Sequence, residues 1–377
     1  MKKILILFFV VISLTSYAQT IKVEIDARCV AYNKLLNKAF VAVRDRGVKY
    51  RKSLLQLDPY TGTVEKSILL NGNPEIIKFT PDFQKIYVSY KQASQIDKIS
   101  LADFQFTGTI ETGEYNVLDF EILPTDENTL FVALGDGTYP EKTVMYKEGV
   151  IQPKQIDNYF FEASSLCINK ENNKLYGHQG ISSAFSGYLI DIVEDGLVWN
   201  GIAWDDMVIA YRRIKCHNNL VYGNNGSVVD PFSDSIPLRE ARMPLYYLTD
   251  NEGAYVYSTI HNCYLFAHET NHEIYISFFH GQYYNYLGSL KIDGWTESIN
   301  DIAVVDENHF ILVSLNSHSS NYNFSLIFYT VEGKNKSENN SEDGTVSKDW
   351  FENNLIQLPL NYDSRRSSNS LNWQLDH

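Results

Sequence analysis

The chain alternates short apolar segments with polar turns over most of its length, and this pattern predicts an all-β protein. The turns are rich in Asn, Asp, Lys or Glu, and the following apolar segment carries an aromatic residue near its start. Examples are N-K-L-L-N-K-A-F-V-A-V, which ends at Val43, and P-D-F-Q-K-I-Y-V-S-Y, which ends at Tyr90. Short alternating segments of this kind are typical of half-buried strands. The chain lacks long apolar stripes with the 3.6-residue period of a helix.

This hairpin recurs seven times. The residues that we align are Phe40, Tyr87, Phe131, Tyr176, Tyr222, Tyr255 and Ile311. Their spacings are 47, 44, 45, 46, 33 and 56 residues, and the last two together equal two periods with one boundary shifted. A second hairpin lies between successive copies, as in the segment 53–70, where Asp58-Pro59-Tyr60-Thr61-Gly62 forms the turn. Four strands per period, repeated seven times, predict a seven-bladed β-propeller.

The seventh repeat is one strand short, and the N-terminal end of the repeat region has one strand without a partner. The segment 20–26 has no partner before Cys29, and the last unit, which ends at Thr330, has no fourth strand. We therefore expect residues 20–26 to form the outer strand of the seventh blade. Such closure removes the sheet edges that otherwise invite aggregation. The predicted propeller domain comprises residues 19–331.

Several motifs within this region resemble those of a known group of proteins. They include L-D-P-Y-T-G-T-V around Asp58, K-I-Y-V-S-Y around Tyr87 and L-V-Y-G-N-N-G-S-V-V-D-P up to Pro231. The chain resembles, over residues 21–331, the YVTN-type and quinoprotein amine dehydrogenase-like seven-bladed propellers of exported bacterial proteins. The resemblance implies an architecture, and it implies no particular activity, because one fold hosts many functions.

The two termini differ in composition from the repeats. Residues 1–18 read as a signal peptide, with Lys2 and Lys3 before an apolar run and small residues, Ser16 and Ala18, before a cut at Gln19. We therefore predict a protein that is periplasmic, on the cell surface or secreted, in a Bacteroidota-like bacterium. The tail 332–377 is rich in Asn, Ser and charge, which predicts disorder.

Charge narrows the classes of partner. The chain has 32 Lys and Arg against 46 Asp and Glu, a formal net charge of −14. A surface this acidic lacks the basic footprint of a nucleic-acid-binding protein. Beyond the leader, no apolar run is long enough to span a bilayer, so we predict no membrane insertion. We expect an unidentified protein or glycan as the ligand.

Two residue sets raise questions of chemistry. The four cysteines, Cys29, Cys167, Cys216 and Cys263, lie in apolar segments where buried free thiols are the ordinary state, and three disulfide pairings stay open. The segment 268–272 spells H-E-x-x-H, the pattern of zinc metalloproteases, which requires a helix. Its neighbours favour strands, so we interpret it as a turn from the third to the fourth strand of blade six. We predict no metal and no cofactor.

Strand parity predicts where a ligand binds. Connections from the second to the third strand of a blade, and from one blade to the next, emerge on one face, and here they are long and aromatic. Loops on a rigid scaffold are common binding sites. The predicted ligand-binding residues are Arg44, Arg46, Tyr139, His178, Tyr283, Tyr284, Tyr286, His318 and Tyr322. The alternative is an enzyme of lactonase or polysaccharide-lyase type. It requires three of the residues Arg44, Arg46, Asp136, His178, Asp205 and His318 to converge at the axis.

Overall fold

The strands of the protein form seven separate antiparallel sheets. The computed structural model describes residues 19–47, 49–136, 139–157, 163–169, 173–180, 186–204, 213–217, 219–224, 228–231, 253–270, 273–281, 286–292, 298–315 and 324–331. The predicted leader 1–18 and the predicted tail 332–377 lie outside these residues. Within them, all regular structure is strand, and no helix is long and apolar enough to cross a membrane. The prediction of an all-β, seven-bladed propeller is confirmed.

The blades follow one another along the chain, and each begins at its innermost strand. Blade 1 contains β2 (Ala27–Asn33), β3 (Lys38–Val43), β4 (Ser53–Leu57) and β5 (Val64–Leu69). Blade 2 contains β6 (Pro74–Phe79), β7 (Lys85–Tyr90), β8 (Gln95–Ser100) and β9 (Gln105–Glu111). Blade 3 contains β10 (Asn116–Ile122), β11 (Thr129–Gly135), β12 (Pro140–Lys147) and β13 (Val150–Ile151). Blade 4 contains β14 (Ser165–Asn169), β15 (Lys174–His178), β16 (Gly187–Val193) and β17 (Gly196–Trp204).

The remaining blades include the point where the two ends of the domain meet. Blade 5 shows three strands in its described part, β18 (Ile214–His217), β19 (Leu220–Gly223) and β20 (Val228–Val229). Blade 6 contains β21 (Ala254–Ser258), β22 (Cys263–Thr270), β23 (Glu273–His280) and β24 (Tyr286–Ile292). Blade 7 contains β25 (Ser298–Val304), β26 (His309–Leu315), β27 (Phe324–Thr330) and β1 (Gln19–Val23).

The N-terminal strand closes the ring, as the sequence predicts. β1 pairs antiparallel with β27, from Gln19 opposite Thr330 to Val23 opposite Leu326. The paired segment is shorter than the predicted 20–26, because the chain leaves the outer edge of blade 7 after Val23 and enters the first strand of blade 1. Asp26, in that crossing, is buried and accepts hydrogen bonds from Arg44 and Arg46.

Apolar side chains between neighbouring blades form the core. Seven hydrophobic clusters are present, one at each of the seven blade interfaces. The aromatic residue near the start of the second strand is a recurring member. For example, Phe40 packs edge-on against Phe79 of the next blade at 5.4 Å, and Tyr222 stacks on Tyr264 at 3.9 Å between ring centres. The outer strands of blades 1 and 2 are largely exposed, because no further strand covers their outer edge.

The structure corrects the alignment of the sixth repeat. Tyr255 lies on the first strand of blade 6, whereas the other six aligned residues lie on second strands. The true equivalent is Leu265 on β22, which follows Tyr222 by 43 residues and precedes Ile311 by 46. The irregular spacings therefore came from one misassigned strand, and the period of about 45 residues holds around the ring.

A disulfide links two inner strands. Cys167 on β14 and Cys216 on β18 are bonded, with a Cα–Cα distance of 5.5 Å. Among the residues that the structure describes, the cluster between blades 4 and 5 has the fewest buried apolar members of the seven, and the disulfide joins the inner strands of these two blades. The expectation of free thiols is wrong for this pair and correct for Cys29 and Cys263, which are buried and unbonded. Burial raises the pKa of the Cys29 thiol to about 12.

Gly62 lies in a turn of blade 1 that packs against the closing strand β1 and its neighbour β27. It has φ of +69° in the turn after Asp58, and a Cβ atom there would lie 2.6 Å from Phe328 and 2.9 Å from Val23. We expect Gly62→Ala to destabilise the protein by about 2–4 kcal/mol, since left-handed backbone strain of about 1–2 kcal/mol adds to overpacking. Urea unfolding measures this change.

Gly149→Ala is the matched control for Gly62→Ala. Gly149 has φ of +77°, but nothing lies within 4 Å of the position of its Cβ atom. This variant should therefore show the backbone strain without the steric clash. Equal losses of stability in the two variants would mean that the contact of Gly62 with Phe328 and Val23 contributes nothing.

Candidate functional site

A β-bulge recurs at the same place on four inner strands. The register shifts between Ala27 and Cys29 on β2, Pro74 and Ile76 on β6, Val117 and Asp119 on β10, and Ile299 and Asp301 on β25. The residues at the bulges are Arg28, Glu75, Leu118 and Asn300. Bulges re-aim side chains and often adjoin functional sites. Three of these four residues are polar, and they lie near the entrance of the channel that the inner strands surround.

The inner strands of six blades line a central channel of about 440 Å³. Its wall includes the charged residues Lys78, Asp119, Glu121, Arg213, Lys215 and Asp301. Since each inner strand begins after a connection between blades, its first residues lie at the face that also carries the second-to-third-strand connections. We call this side the loop face and the opposite side the turn face.

Ion pairs cross the channel near the loop face. Arg28 of blade 1 pairs with Glu75 of blade 2. Arg213, which precedes β18, reaches from blade 5 to the same residue, with Nη2 3.2 Å from the Glu75 carbonyl oxygen and 3.6 Å from Oε1. Burial alone would raise the pKa of Glu75, but the two guanidinium groups outweigh it and hold the pKa below its usual value. The Glu75 carboxylate therefore stays ionised and is shared by two arginines.

A second group of charges lies further along the channel. Lys78 Nζ lies 2.8 Å from Glu121 Oε1 and 3.4 Å from Asp119 Oδ1. Burial lowers the pKa of Lys78, but these two carboxylates more than offset it and the pKa is raised. Lys78 of blade 2 is therefore shared by two carboxylates of blade 3.

Asp119 and Asp301 also join neighbouring blades. Asp119 Oδ2 accepts hydrogen bonds from the Leu166 amide at 3.0 Å and the Ser165 hydroxyl at 2.9 Å, both on blade 4. Asp301 Oδ2 accepts one from the Val30 amide of blade 1 at 3.0 Å. Each carboxylate satisfies an amide of the next inner strand, and charge-assisted bonds of this type are strong. These two residues therefore have a structural role.

A pocket of about 80 Å³ forms the loop-face entrance of the channel. Arg28, Arg213, Lys215, Asn224 and Asn300 contribute its polar lining. Lys215 Nζ donates to the Tyr255 carbonyl oxygen at 2.7 Å and lies 4.7 Å from the centre of the Tyr255 ring. The Lys215 side chain lies inside the ring of blades, where solvent reaches it through the channel. Partial desolvation there lowers the pKa of Lys215. Among described residues, no carboxylate lies within ion-pair distance of Lys215.

The loop face also carries exposed aromatic and basic side chains. Tyr139, between β11 and β12, is 57% exposed, and Tyr50, between β3 and β4, is 40% exposed. Arg46 is exposed on the same connection as Tyr50. Arg44 differs, because its Nε and Nη2 atoms both lie 2.9 Å from Asp26 Oδ1. Burial lowers the pKa of Arg44 and raises that of Asp26, and their pairing anchors this loop to the start of blade 1.

The other predicted ligand-binding residues fall into three groups: one is buried, one lies on the turn face, and four lie outside the described residues. His178 is completely buried at the end of β15, so its imidazole does not face solvent. Tyr286 begins β24, and the connection before it joins the third strand of blade 6 to the fourth. Connections from a third to a fourth strand lie on the turn face, so Tyr286 lies there. The sequence analysis had placed it on the loop face, in a connection between blades, and that prediction is wrong. Its hydroxyl bonds to Ser289 at 2.8 Å. The remaining four, Tyr283, Tyr284, His318 and Tyr322, lie outside the described residues.

The six residues of the alternative enzyme site do not converge in the described part of the chain. Arg44 and Arg46 lie on blade 1, Asp136 on blade 3 and His178 on blade 4, each on a second-to-third-strand connection or at its edge. None of these four residues lines the channel. His318 and Asp205 lie outside the described residues. Over the same ranges, no group of three His, Cys, Asp or Glu side chains is arranged to hold a metal.

The H-E-x-x-H segment lies at the end of a strand. His268, Glu269 and Thr270 are the last residues of β22, which is the second strand of blade 6, so the turn leads to the third strand. This corrects the predicted third-to-fourth turn. His268 is buried and its Nε2 is hydrogen-bonded with the Ser277 hydroxyl at 2.8 Å. A strand does not provide the helical spacing that the zinc motif needs. His272 lies outside the described residues.

Sequence reasoning missed the charges of the channel. They stand within the first strands of the repeats, in N-P-E-I-I-K-F, N-V-L-D-F-E-I, R-I-K-C-H and S-I-N-D-I-A-V. The available signal was a charged residue inside an otherwise apolar strand, at a similar position in several repeats. A buried charge of this kind needs a partner, and a propeller brings the equivalent positions of all blades to its axis.

Comparison with known proteins supports the architecture. No protein-family profile matches the chain, and no curated protein does so. A search of solved structures finds the β-propeller domain of Cps50 (Swd1) from Myceliophteria thermophila, with a TM-score of 0.59 and 13% sequence identity over 83% of this chain and 98% of that domain. The chain has a β-propeller fold. At this identity the similarity shows the fold alone.

Proposed function

We propose that the protein is an exported, non-catalytic binding propeller that recognises a protein or glycan through its loop face. The observation that carries this proposal is the solvent-exposed surface of that face, where Tyr139 of blade 3 and Tyr50 and Arg46 of blade 1 lie on the same side as the charged channel entrance. Tyrosines with a wet hydroxyl and an apolar ring are effective contact residues at low entropic cost. We further infer kinship with the YVTN-type propellers of exported bacterial proteins.

Two features support export. Residues 1–18 have the composition of a signal peptide that ends before Gln19. The Cys167–Cys216 disulfide fits an oxidising compartment, since such bonds are rare where thioredoxin and glutathione keep thiols reduced. N-terminal sequencing of protein recovered from the periplasm or medium of a Gram-negative host tests the cut at Gln19 or Thr20.

The loop-face proposal predicts a face-specific loss of binding. The Tyr50→Ala/Tyr139→Ala double variant should fold normally and lose at least about thirtyfold in affinity for its ligands, because truncation of a single hot-spot tyrosine costs about 2 kcal/mol. A glycan array and a displayed-peptide library, probed with the purified mature chain, supply those ligands and measure the affinities.

The control for this experiment lies on the turn face. Leu35 and Leu36, in the turn between β2 and β3, are 61% and 42% exposed, so Leu35→Ala/Leu36→Ala removes comparable exposed apolar surface there. This variant should keep the affinity of the unmodified chain. If the leucine variant lost binding and the tyrosine variant kept it, the binding surface would be on the turn face, and the loop-face proposal would be wrong.

A further inference from the structure

The turn face of blade 1 carries an exposed apolar group at its junction with blade 7. Leu35 and Leu36, in the turn between β2 and β3, are 61% and 42% exposed, and Tyr60, in the turn between β4 and β5, is 36% exposed. The Tyr60 hydroxyl lies beside the Asn37 side chain. Its ring packs edge-on against His309 of blade 7, with 4.8 Å between the ring centres. We call Leu35, Leu36 and Tyr60 the turn-face patch.

Hydrogen bonds fix the backbone that carries the two leucines. The buried Asn33 accepts hydrogen bonds at its Oδ1 atom from the backbone amides of Leu35 at 3.0 Å and Leu36 at 3.1 Å. Its Nδ2 atom donates to the Phe83 carbonyl oxygen of blade 2 at 2.9 Å. An apolar surface on a fixed backbone binds a partner with a small cost in ordering. The patch is therefore suited to docking.

The chain leaves the propeller beside this patch. Val331, the last residue that the structure describes, donates its amide hydrogen to the Asn308 carbonyl oxygen at 2.7 Å. Asn308 lies in the turn between β25 and β26 of blade 7 and directly precedes His309, which contacts Tyr60. Residues 332–377 therefore start next to the residues that flank the patch.

The nearest apolar segment of the tail is within reach of the patch. The 18 residues 332–349 contain one apolar side chain, that of Val346, whereas the segment 350–360 reads W-F-E-N-N-L-I-Q-L-P-L. A flexible linker of this length has a root-mean-square end-to-end distance of about 20–25 Å. Pro359 favours an extended backbone at Leu358. The tail thus holds an apolar segment at a distance that permits docking on the turn face.

From these observations we propose that residues 350–360 dock on the turn-face patch of the same chain. Trp350 supplies the residue type that is most enriched at interface hot spots. The linker 332–349 holds the segment at an effective concentration of about 1 mM, so a dissociation constant of about 50 μM for the isolated segment gives a docked-to-free ratio of about 20. Docking of this strength raises the melting temperature by only about 3 °C.

A second copy of the chain is a poorer occupant of the patch. Each copy has a formal net charge of −14, so two copies repel each other. A second copy also lacks the linker, and its concentration in solution is far below the millimolar range that the linker provides. The occupant that the geometry favours is therefore the tail of the same chain.

Photocrosslinking of the full mature chain tests the proposal. p-Benzoylphenylalanine in place of Phe351 reacts on illumination with the groups that it contacts, and mass spectrometry of the digest locates the bonds. We expect crosslinks within one chain to the turns that carry the turn-face patch. Leu35→Asp/Leu36→Asp should weaken docking about hundredfold, which lowers the docked-to-free ratio to about 0.2 and the crosslink yield about fivefold. Leu355→Asp/Leu358→Asp, which alters only the tail, should lower the yield similarly.

Val150→Asp/Ile151→Asp is the matched control. These residues form β13 on the rim of blade 3 and are 63% and 40% exposed, nearly as Leu35 and Leu36 are. This variant should keep the crosslink yield of the unmodified chain. Three results overturn the proposal: no crosslink or crosslinks elsewhere on the ring, crosslinks between two chains, or a yield that the paired aspartate variants leave unchanged. Each leaves the loop-face proposal standing, because that proposal is measured with Tyr50 and Tyr139 variants.

Discussion

A chain that begins at Glu24 should unfold about 10 °C below a chain that begins at Gln19. The truncation removes β1, whose five residues pair with β27 and cover the outer edge of blade 7. About five backbone hydrogen bonds, at roughly 1 kcal/mol each, are lost together with the contacts of Ile21 and Val23. A loss of about 5 kcal/mol corresponds to a shift of roughly 10 °C in a domain of this size. Thermal unfolding followed by circular dichroism measures the shift.

The truncation also changes association, and this provides a second measurement. The exposed edge of β27 offers unpaired backbone groups to other chains, so the shortened protein should aggregate more readily in light scattering. A chain that ends at Val331 is the control, since the composition of residues 332–377 predicts disorder and a small effect on the melting temperature. If both truncations were tolerated equally, ring closure by β1 would not contribute to stability.

Mild acid should destabilise the protein through two buried histidines. Burial lowers the pKa of His261 to about 4 and that of His268 to about 3, from 6.5. The unfolded chain thus binds protons below pH 6.5 that the folded chain does not bind until far lower pH. The stability linked to these groups is complete above pH 6.5 and falls by about 1.4 kcal/mol per pH unit for each histidine. Between pH 7.5 and pH 5.0 the loss for the two histidines together is about 4 kcal/mol.

Urea unfolding at pH 7.5, 6.0 and 5.0 measures this slope. His268→Gln keeps a side chain that can hydrogen-bond with Ser277 and does not titrate, so it should lower the pH 7.5 stability somewhat and halve the dependence on pH. His261, whose pKa is also lowered by burial, would then account for the remaining half. A slope that His268→Gln leaves unchanged would contradict the assignment.

The repeat pattern predicted the fold because local and long-range requirements coincide in a propeller. Each blade needs alternating apolar strands and polar turns, and these are visible in segments such as K-I-Y-V-S-Y up to Tyr90. The sixth repeat was misaligned because T-D-N-E-G-A-Y-V-Y-S resembles a second strand but forms the first, β21. First and second strands are both apolar and both follow polar residues, so the local pattern does not distinguish them. The error moved Tyr286 to the wrong face.

The candidate site was not predictable in the same way. The members of the channel entrance, Arg28, Glu75, Arg213, Lys215 and Asn300, are spread over blades 1, 2, 5 and 7. Their proximity depends on bulges that turn individual side chains and on the closure of the ring, which brings blade 7 beside blade 1. The Cys167–Cys216 bond follows from the same packing, because two neighbouring inner strands bring together thiols that lie 49 residues apart.

The sequence by itself determined the class of fold, the number of blades and the closing strand. All of these depend on periodicity and composition, which are properties of neighbouring residues. Only the tertiary structure decided which thiols pair, which face Tyr286 occupies, that His178 is buried, and that charged residues of several blades meet in the central channel. Those features depend on distances between residues of different blades, and such distances are set by the packing of whole sheets around an axis.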